Sequence, residues 1–441
     1  MQATVHPAAD TAMELQESTL VDTFTPTARD DETPPLKKMR CEPHPILDNE
    51  QLRRRTAFVP KNMPTILRLP SGVMKQVVLE PGQIVSIGKF GAFQAEDIIG
   101  RAFGPTYEIK ADNKVEILRR AAAEALVESE ATNENIYDDG ESQLLSYEDI
   151  KAMKEAGATG REIIQRQLEA NKSYDQRTVY SQSKIMKRKE AKHLQFFTPL
   201  APDMYNVCAY NFERNPDKIR GMRPDALSQV LSFGNVQAGG RFLVVDGIGG
   251  LLTGAVLERM GGCGSVHMIH DADSPPSLEL MPQFNLTPMH VDRVLRTMHW
   301  AATEPQWPLP AHMADELKKE YKTDRERNRA RKKRAGIEDF IATRQQLFDG
   351  QFDGLLVASP YEPYSIIHRL APYLAGSANI VVHSPYLQPL AEVQARLRAE
   401  HTYQVLPART HPDMTTSANA GYILHAIRIL SPDEPLAGPP Q

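Results

Sequence analysis

Cysteine is scarce: Cys41, Cys208 and Cys263 are the three in 441 residues, widely spaced and odd in number. That excludes a disulfide framework, and the lack of any CxxC pair excludes a cysteine zinc site, so a reducing compartment is expected. No apolar run approaches the roughly 20 residues of a membrane span. The N-terminus "MQATVHPAADTAMELQ" lacks the basic start and apolar core of a signal peptide. A soluble intracellular protein that makes no membrane contact is therefore expected. An excess of either charge is missing too: 51 basic against 56 acidic residues give a formal net charge of -5. Affinity for nucleic acid must then come from local patches. Histidines such as His290, His299 and His368 have no metal-ligand spacing, and no metal site is expected.

What is present is a chain with 41% hydrophobic residues, long enough for two or three domains. Residues 1 to about 60 are rich in Pro, Thr, Asp and Glu without apolar periodicity and read as a disordered tail. It carries two short basic clusters, "PPLKKMR" (34–40) and "QLRRR" (51–55), which suit either a nuclear import signal or a solvated loop. From Thr65, short β-branched runs broken by Pro and Gly ("TILRLPSG", "VMKQVVLEPG", "QIVSIGKFGAF", "PTYEIK") predict a small β-barrel-like domain over 61–140. Phe90 and Phe93 read as its core.

An acidic stretch (124–143) with seven acids and no base reads as a solvated face. A helical, basic linker follows over 141–195, with a capping box from Thr159 to Glu162. Its last part, "TVYSQSKIMKRKEAKH", sets Lys184, Lys187, Arg188, Lys189, Lys192 and His193 within ten residues. Lys184, Arg188 and Lys192 share one helix face, and such a ridge of cations suits a polyanion or an exposed linker helix equally.

Residues 196–435 alternate apolar runs with helical patterns. Strands are expected at 241–247, 265–270, 352–359, 379–384, 402–408 and 421–430, and helices at 250–260, 364–375 and 387–400. Nearly continuous apolar strands alternating with helices predict a parallel, doubly wound, Rossmann-like sheet. The last two strands are joined too closely for a helix and should pair antiparallel at the sheet edge. A charged insertion, 303–350, contains "LKKEYKTDRERNRARKKR", with ten Lys or Arg in its last seventeen residues. With almost no apolar face it should not be a core helix. A disordered loop, an import signal and a nucleic-acid contact are compatible readings.

A glycine loop after the first strand of such a sheet resembles the class I methyltransferases that use S-adenosylmethionine. The words "IGKFGAF", "IIGRAFGPTYEI", "NENIYDDGESQLLSYEDIKAMKEAGATGREII", "TVYSQSKIMKRKEAKH" and "GGLLTGAVLERMGGCGSV" narrow the resemblance. They resemble the non-catalytic, tRNA-binding subunits of eukaryotic tRNA (adenine-N(1)-)-methyltransferases, from about residue 63 to 430 and leaving out the tail and the 303–350 insertion. The resemblance implies a paralogue of the catalytic subunit that has lost catalysis and that binds tRNA and that subunit, as a heterotetramer of two copies of each, so that a T-loop adenine is methylated; with the basic clusters, a nuclear location is expected. S-adenosylmethionine would then belong to the partner, and this chain would hold no cofactor.

The residues point the same way. A methyltransferase loop needs an acid followed by glycines at alternate positions, so that backbone passes close under the cofactor. Counting from Asp246, through Gly247 and Gly249, those positions are Ile248, Gly250 and Leu252, two of them branched. His270 and Asp271 end the second strand, where a ribose-binding carboxylate belongs. In the catalytic subunits the fourth strand ends in an Asp; here "LVASPYEP" puts Ala358 there, Ser359 is too weak a base, and Glu362 is displaced. For RNA the candidates are Lys184, Lys187, Arg188, Lys189 and Lys192, then Lys89 and the cluster Arg329, Arg331, Lys332, Lys333 and Arg334, as phosphate contacts. The alternatives are an active methyltransferase with a divergent loop and a translation-related RNA-binding factor.

Overall fold

The computed structural model describes residues 54–110, 113–118, 147–155, 160–170, 178–272, 276, 278–321, 323–399, 403–406 and 421–429. The cluster at 34–40, the acidic stretch 124–143 and the cap residue Thr159 lie outside them. Residues 54–57 form a helical turn, α1. Arg55 on it is buried: its guanidinium pairs with Glu258 at 2.8 Å and donates to the carbonyls of Pro202 (2.9 Å) and Phe284 (2.6 Å). The expected tail thus ends earlier than residue 60, and one cation of the 51–55 cluster serves the fold.

The N-terminal strands are β1 (Pro64–Arg68), β2 (Met74–Val78), β3 (Ile84–Ser86), β4 (Ala92–Gln94), β5 (Tyr107–Ile109) and β6 (Val115–Ile117). Helices α2 (Tyr147–Glu155), α3 (Gly160–Glu169) and α4 (Val179–His193) follow, then β7 (Phe196–Leu200). The sheet order is β2-β1-β7-β5-β6, antiparallel throughout, with β3 and β4 as a separate hairpin. Phe196, expected to open the Rossmann-like domain, instead starts a strand in the middle of this sheet. The helices α2 to α4 are an excursion between two strands of one domain. Phe90, Phe93, Tyr107 and Phe197 fill the core, with the Phe93 and Phe197 rings stacked at 4.4 Å.

The second domain runs α5 (Met204–Arg214), α6 (Pro224–Phe233), β8 (Arg241–Asp246), α7 (Leu251–Met260), β9 (Ser265–His270), α8 (Pro288–Val294), β10 (Leu295–His299) and α9 (Ala311–Lys318). It continues with α10 (Asp324–Phe348), β11 (Phe352–Ala358), α11 (Pro363–Leu370), β12 (Leu374–Ser384), α12 (Leu387–Ala399), β13 (Tyr403–Leu406) and β14 (Tyr422–Arg428). Strands β8, β9 and β11 are buried on both faces, which is why they read as largely apolar runs, broken in β9 by His267 and in β11 by Asp353.

The order is β10-β9-β8-β11-β12-β14-β13; β14 runs antiparallel to both of its neighbours. This is the Rossmann-like methyltransferase topology. Strand order reverses between β8 and β11, so the crevice at their C-terminal ends is where such folds take ligands. Strand β10 was not expected, because Arg296 and His299 interrupt its apolar run. The charged 303–350 segment supplies the crossover helix from β10 back to β11 rather than an appendage. Its helix α10 is anchored by buried Ala330, Ile337 and Leu347, with Phe340 and Trp307 packed on the same core. High helix propensity of Arg, Lys and Ala carries it through the charged half.

Candidate functional site: a filled glycine loop, an open cleft and a basic face

Asp246 ends β8 and spends its carboxylate on its own loop. It accepts the backbone N–H groups of Ile248 (2.9 Å), Gly250 (3.2 Å) and Thr253 (2.8 Å) and the Thr253 hydroxyl (2.8 Å). Burial pushes its pKa up, and these hydrogen bonds pull the other way. The bonds bind the turn to the first turn of α7, which needs left-handed backbone at Gly249 (φ 70°) and Gly250 (φ 87°). Ile248 and Leu252, at the positions where glycine was expected, are 0% exposed and belong to the main core.

The face of the loop is covered by the chain itself. Leu280 N–H donates to the Gly249 carbonyl at 3.0 Å, and a Cβ placed on Gly250 would lie 3.0 Å from the Leu278 side chain. At the second strand, Asp271 receives the Tyr361 hydroxyl, so a tyrosine from the loop after β11 reaches across the end of β8. That bond is the largest influence holding the Asp271 pKa below the usual carboxylate range. The leucines shut off Gly249 and Gly250, and Asp271 is engaged, so S-adenosylmethionine would meet neither an open loop backbone nor a free carboxylate here, although Asp246 and Gly247 still line a cleft beside them.

At the fourth strand, Ala358 is buried, and its carbonyl accepts the Gly247 N–H at 2.7 Å. Pro360 packs so closely that a Cβ on Gly247 would lie 2.6 Å from it. Glu362 accepts the N–H groups of Tyr364 (3.0 Å) and Ser365 (2.6 Å), so it caps α11 instead of facing a substrate. What remains beside these groups is a cleft of about 1030 Å³ whose walls include His270, Trp300, Tyr361, Tyr364 and Arg396. Burial first, then the neighbouring His299, lowers the His270 pKa.

The basic candidates divide into exposed cations and structural ones. On α4, capped by the Thr178 hydroxyl, Lys184 and Arg188 are exposed. Lys187 and Lys192 lie on the same helix. Lys189 is half-buried and donates to Gln167 on α3 at 3.0 Å, so it joins two helices. On α10, Arg329, Arg331, Lys332 and Lys333 are exposed. Arg334 instead turns back to the end of α9, donating to the Glu316 (3.1 Å) and Lys319 carbonyls. Lys89 is exposed, its ammonium 5.0 Å from the Phe90 ring. Missed from sequence were Leu278, Leu280 and Tyr361; the one available signal was the repeated Ser-Pro-Tyr after β11 and β12.

The family model described as Gcd10p matches residues 58–334. A protein of Schizosaccharomyces pombe named tRNA (adenine(58)-N(1))-methyltransferase non-catalytic subunit is 29% identical, over 87% of this chain and 95% of its own. The protein of the same name from Kluyveromyces lactis is 31% identical over 85% of this chain and 87% of its own. Among solved structures, the tRNA (m1A58) methyltransferase TrmI from Aquifex aeolicus aligns at 11% identity and a TM-score of 0.41, covering 85% of this chain and 100% of that one.

Proposed function

The chain belongs to the Gcd10p family, and from that membership we infer that it is the non-catalytic subunit of a tRNA adenine-N(1)-methyltransferase. It binds tRNA and a catalytic subunit so that an adenine of the T-loop is methylated at N1. The observation that carries this reading is the pair Asp246 and Ala358. One has its carboxylate consumed by the loop, and the other has no group that takes a proton. S-adenosylmethionine belongs to the partner, and the assembly is two copies of each chain.

In the same reading the N-terminal sheet and hairpin form a small barrel-like module, and the protein works in the nucleus. Phosphates are met by the exposed cations Lys184 and Arg188, together with Lys187 and Lys192 on the same helix. Lys89 and the exposed face of α10 are further contacts. Lys189 and Arg334 support these surfaces from within. Such contacts fix affinity and orientation without reading bases.

Filter binding of tRNA to the two-subunit complex across a salt series tests the basic face. Lys184→Glu with Arg188→Glu should weaken binding and flatten the dependence on salt by about 0.7 to 0.9 in log–log slope per lost phosphate contact. Unchanged affinity and slope would remove α4 from the interface. Light scattering of the complex reads its stoichiometry, and a fluorescent fusion reads its compartment.

A further inference from the structure

Two neighbouring parallel strands end in the same three residues. Strand β11 runs into Ser359-Pro360-Tyr361 and β12 into Ser384-Pro385-Tyr386. In both, the serine hydroxyl accepts the backbone N–H of the tyrosine, at 3.3 Å and 3.2 Å. Proline keeps the preceding serine extended, so each strand runs straight to its end and delivers a tyrosine there. Tyr361 is 55% and Tyr386 65% exposed. Hydrogen-bonded strands lie about 4.8 Å apart, so the two tyrosines follow neighbouring strand ends, Tyr361 on the side toward β8. Tyr422, opposite Ser384 at the start of β14, is a third exposed tyrosine at this end of the sheet. Three exposed tyrosines gathered at the end of the sheet that borders the cleft suit a ligand with flat rings.

The cleft beside Tyr361 offers a matching set of groups. Its carboxylates are taken: Asp271 by Tyr361, and Glu362 by the start of α11. The Arg396 guanidinium stands 4.7 Å over the Tyr364 ring and has no hydrogen bond or ion pair among the described residues. The His270 ring lies in the same wall. Aromatic walls and an exposed guanidinium fit a nucleotide: a base to stack and a phosphate to neutralise.

We propose that this sheet edge binds unpaired nucleotides of RNA, stacking bases on Tyr361 and Tyr386 and taking one base into the cleft beside Tyr364 and Arg396. The proposal rests on the tRNA-binding reading above and adds a base-contacting surface to its phosphate contacts. RNA is favoured over a free nucleoside cofactor on two grounds. The carboxylate that would hold a free ribose diol is already bound to Tyr361, and the exposed tyrosines run on past the cleft, where a single nucleotide would not reach.

The test uses the full chain with its catalytic partner and tRNA carrying photoreactive 4-thiouridine at its unpaired positions. Crosslinks mapped by mass spectrometry are expected at Tyr361 or Tyr386. Tyr361→Ala and Tyr386→Ala should each lower tRNA affinity by about tenfold, whereas Tyr361→Phe, which keeps the ring and loses the Asp271 bond, should bind like the wild type. Wild-type binding with no crosslink at the edge and unchanged alanine variants overturns the proposal alone. A wild-type complex that leaves tRNA unbound overturns the proposed function with it. Calorimetry with S-adenosylmethionine separates the two sources of nucleotide. One site per pair of subunits is expected, and a second site abolished by Tyr364→Ala would assign the cleft to a free cofactor and overturn the proposal.

Discussion

Asp246 and Ala358 are register partners at the C-terminal ends of two adjacent parallel strands, β8 and β11. In a methyltransferase of this topology those ends flank the reacting atoms. Here one end is a carboxylate with four internal hydrogen bonds and the other is a buried methyl group. The shell of a cofactor site has been turned into structure.

That conversion has a measurable consequence for stability. Asp246→Ala strands buried donors and should cost about 3 kcal/mol, since hydrogen bonds to charged groups contribute about 1.5–3 kcal/mol each and are only partly replaced by water. Thermal unfolding reads the loss. Ala358→Asp should also lower the melting temperature, by burying a carboxylate without a partner, and should confer no methyl transfer on the isolated chain.

Arg55 anchors α1 to the Rossmann-like domain through Glu258. Burial raises the Glu258 pKa, and Arg55 beside it opposes that rise. Arg55→Met leaves Glu258 buried without its counter-charge and should cost about 3 kcal/mol. Adding Glu258→Leu should restore most of this. The denaturant midpoints of the single and double variants check it, and equal midpoints for wild type and Arg55→Met would refute it.

The two halves of α10 should separate in experiment. Reversing Arg329, Lys332 and Lys333 to Glu should change stability by less than about 0.5 kcal/mol, as exposed substitutions do, while weakening tRNA binding. Leu347→Ala, in the buried half, should cost about 2–4 kcal/mol. Measuring melting temperature and tRNA affinity on both variants decides whether the charges serve RNA or only solubility.

Acid should destabilise the sheet through His267. Burial lowers its pKa to about 4, with Gln346 hydrogen-bonded to the ring opposing the shift. The folded state therefore holds a neutral imidazole where the unfolded chain takes up a proton near its ordinary value of about 6.5. The stability is fully present above about pH 6.5 and is lost as pH falls toward 4. By linkage the loss is about 2 kcal/mol at pH 5. His267→Gln should flatten the fall in unfolding free energy between pH 7 and pH 5, and an unchanged slope would show that another group governs it.

Much of this was legible in the sequence. Strands β8, β9, β11 and β12 are dominated by apolar residues because both sheet faces are covered, and the positions of Ile248, Leu252 and Ala358 follow by counting along them. Other features depend on segments meeting in space. Strand β7 is apolar in sequence, yet nothing local says that it pairs with β1 and β5 instead of joining the second sheet. The leucines over the glycine loop and the Tyr361–Asp271 bond join distant stretches in the same way. Arg55 shows the limit for charges: a run of arginines reads as solvated until one of them is found against a buried glutamate.

The most direct test is transfer of labelled methyl from S-adenosylmethionine to a tRNA transcript. It is run with this chain alone, with the catalytic subunit alone, and with both. Transfer by the mixture and none by this chain alone is the predicted result. Transfer by this chain alone would mean that some other carboxylate supplies what Ala358 lacks, and would contradict a non-catalytic subunit.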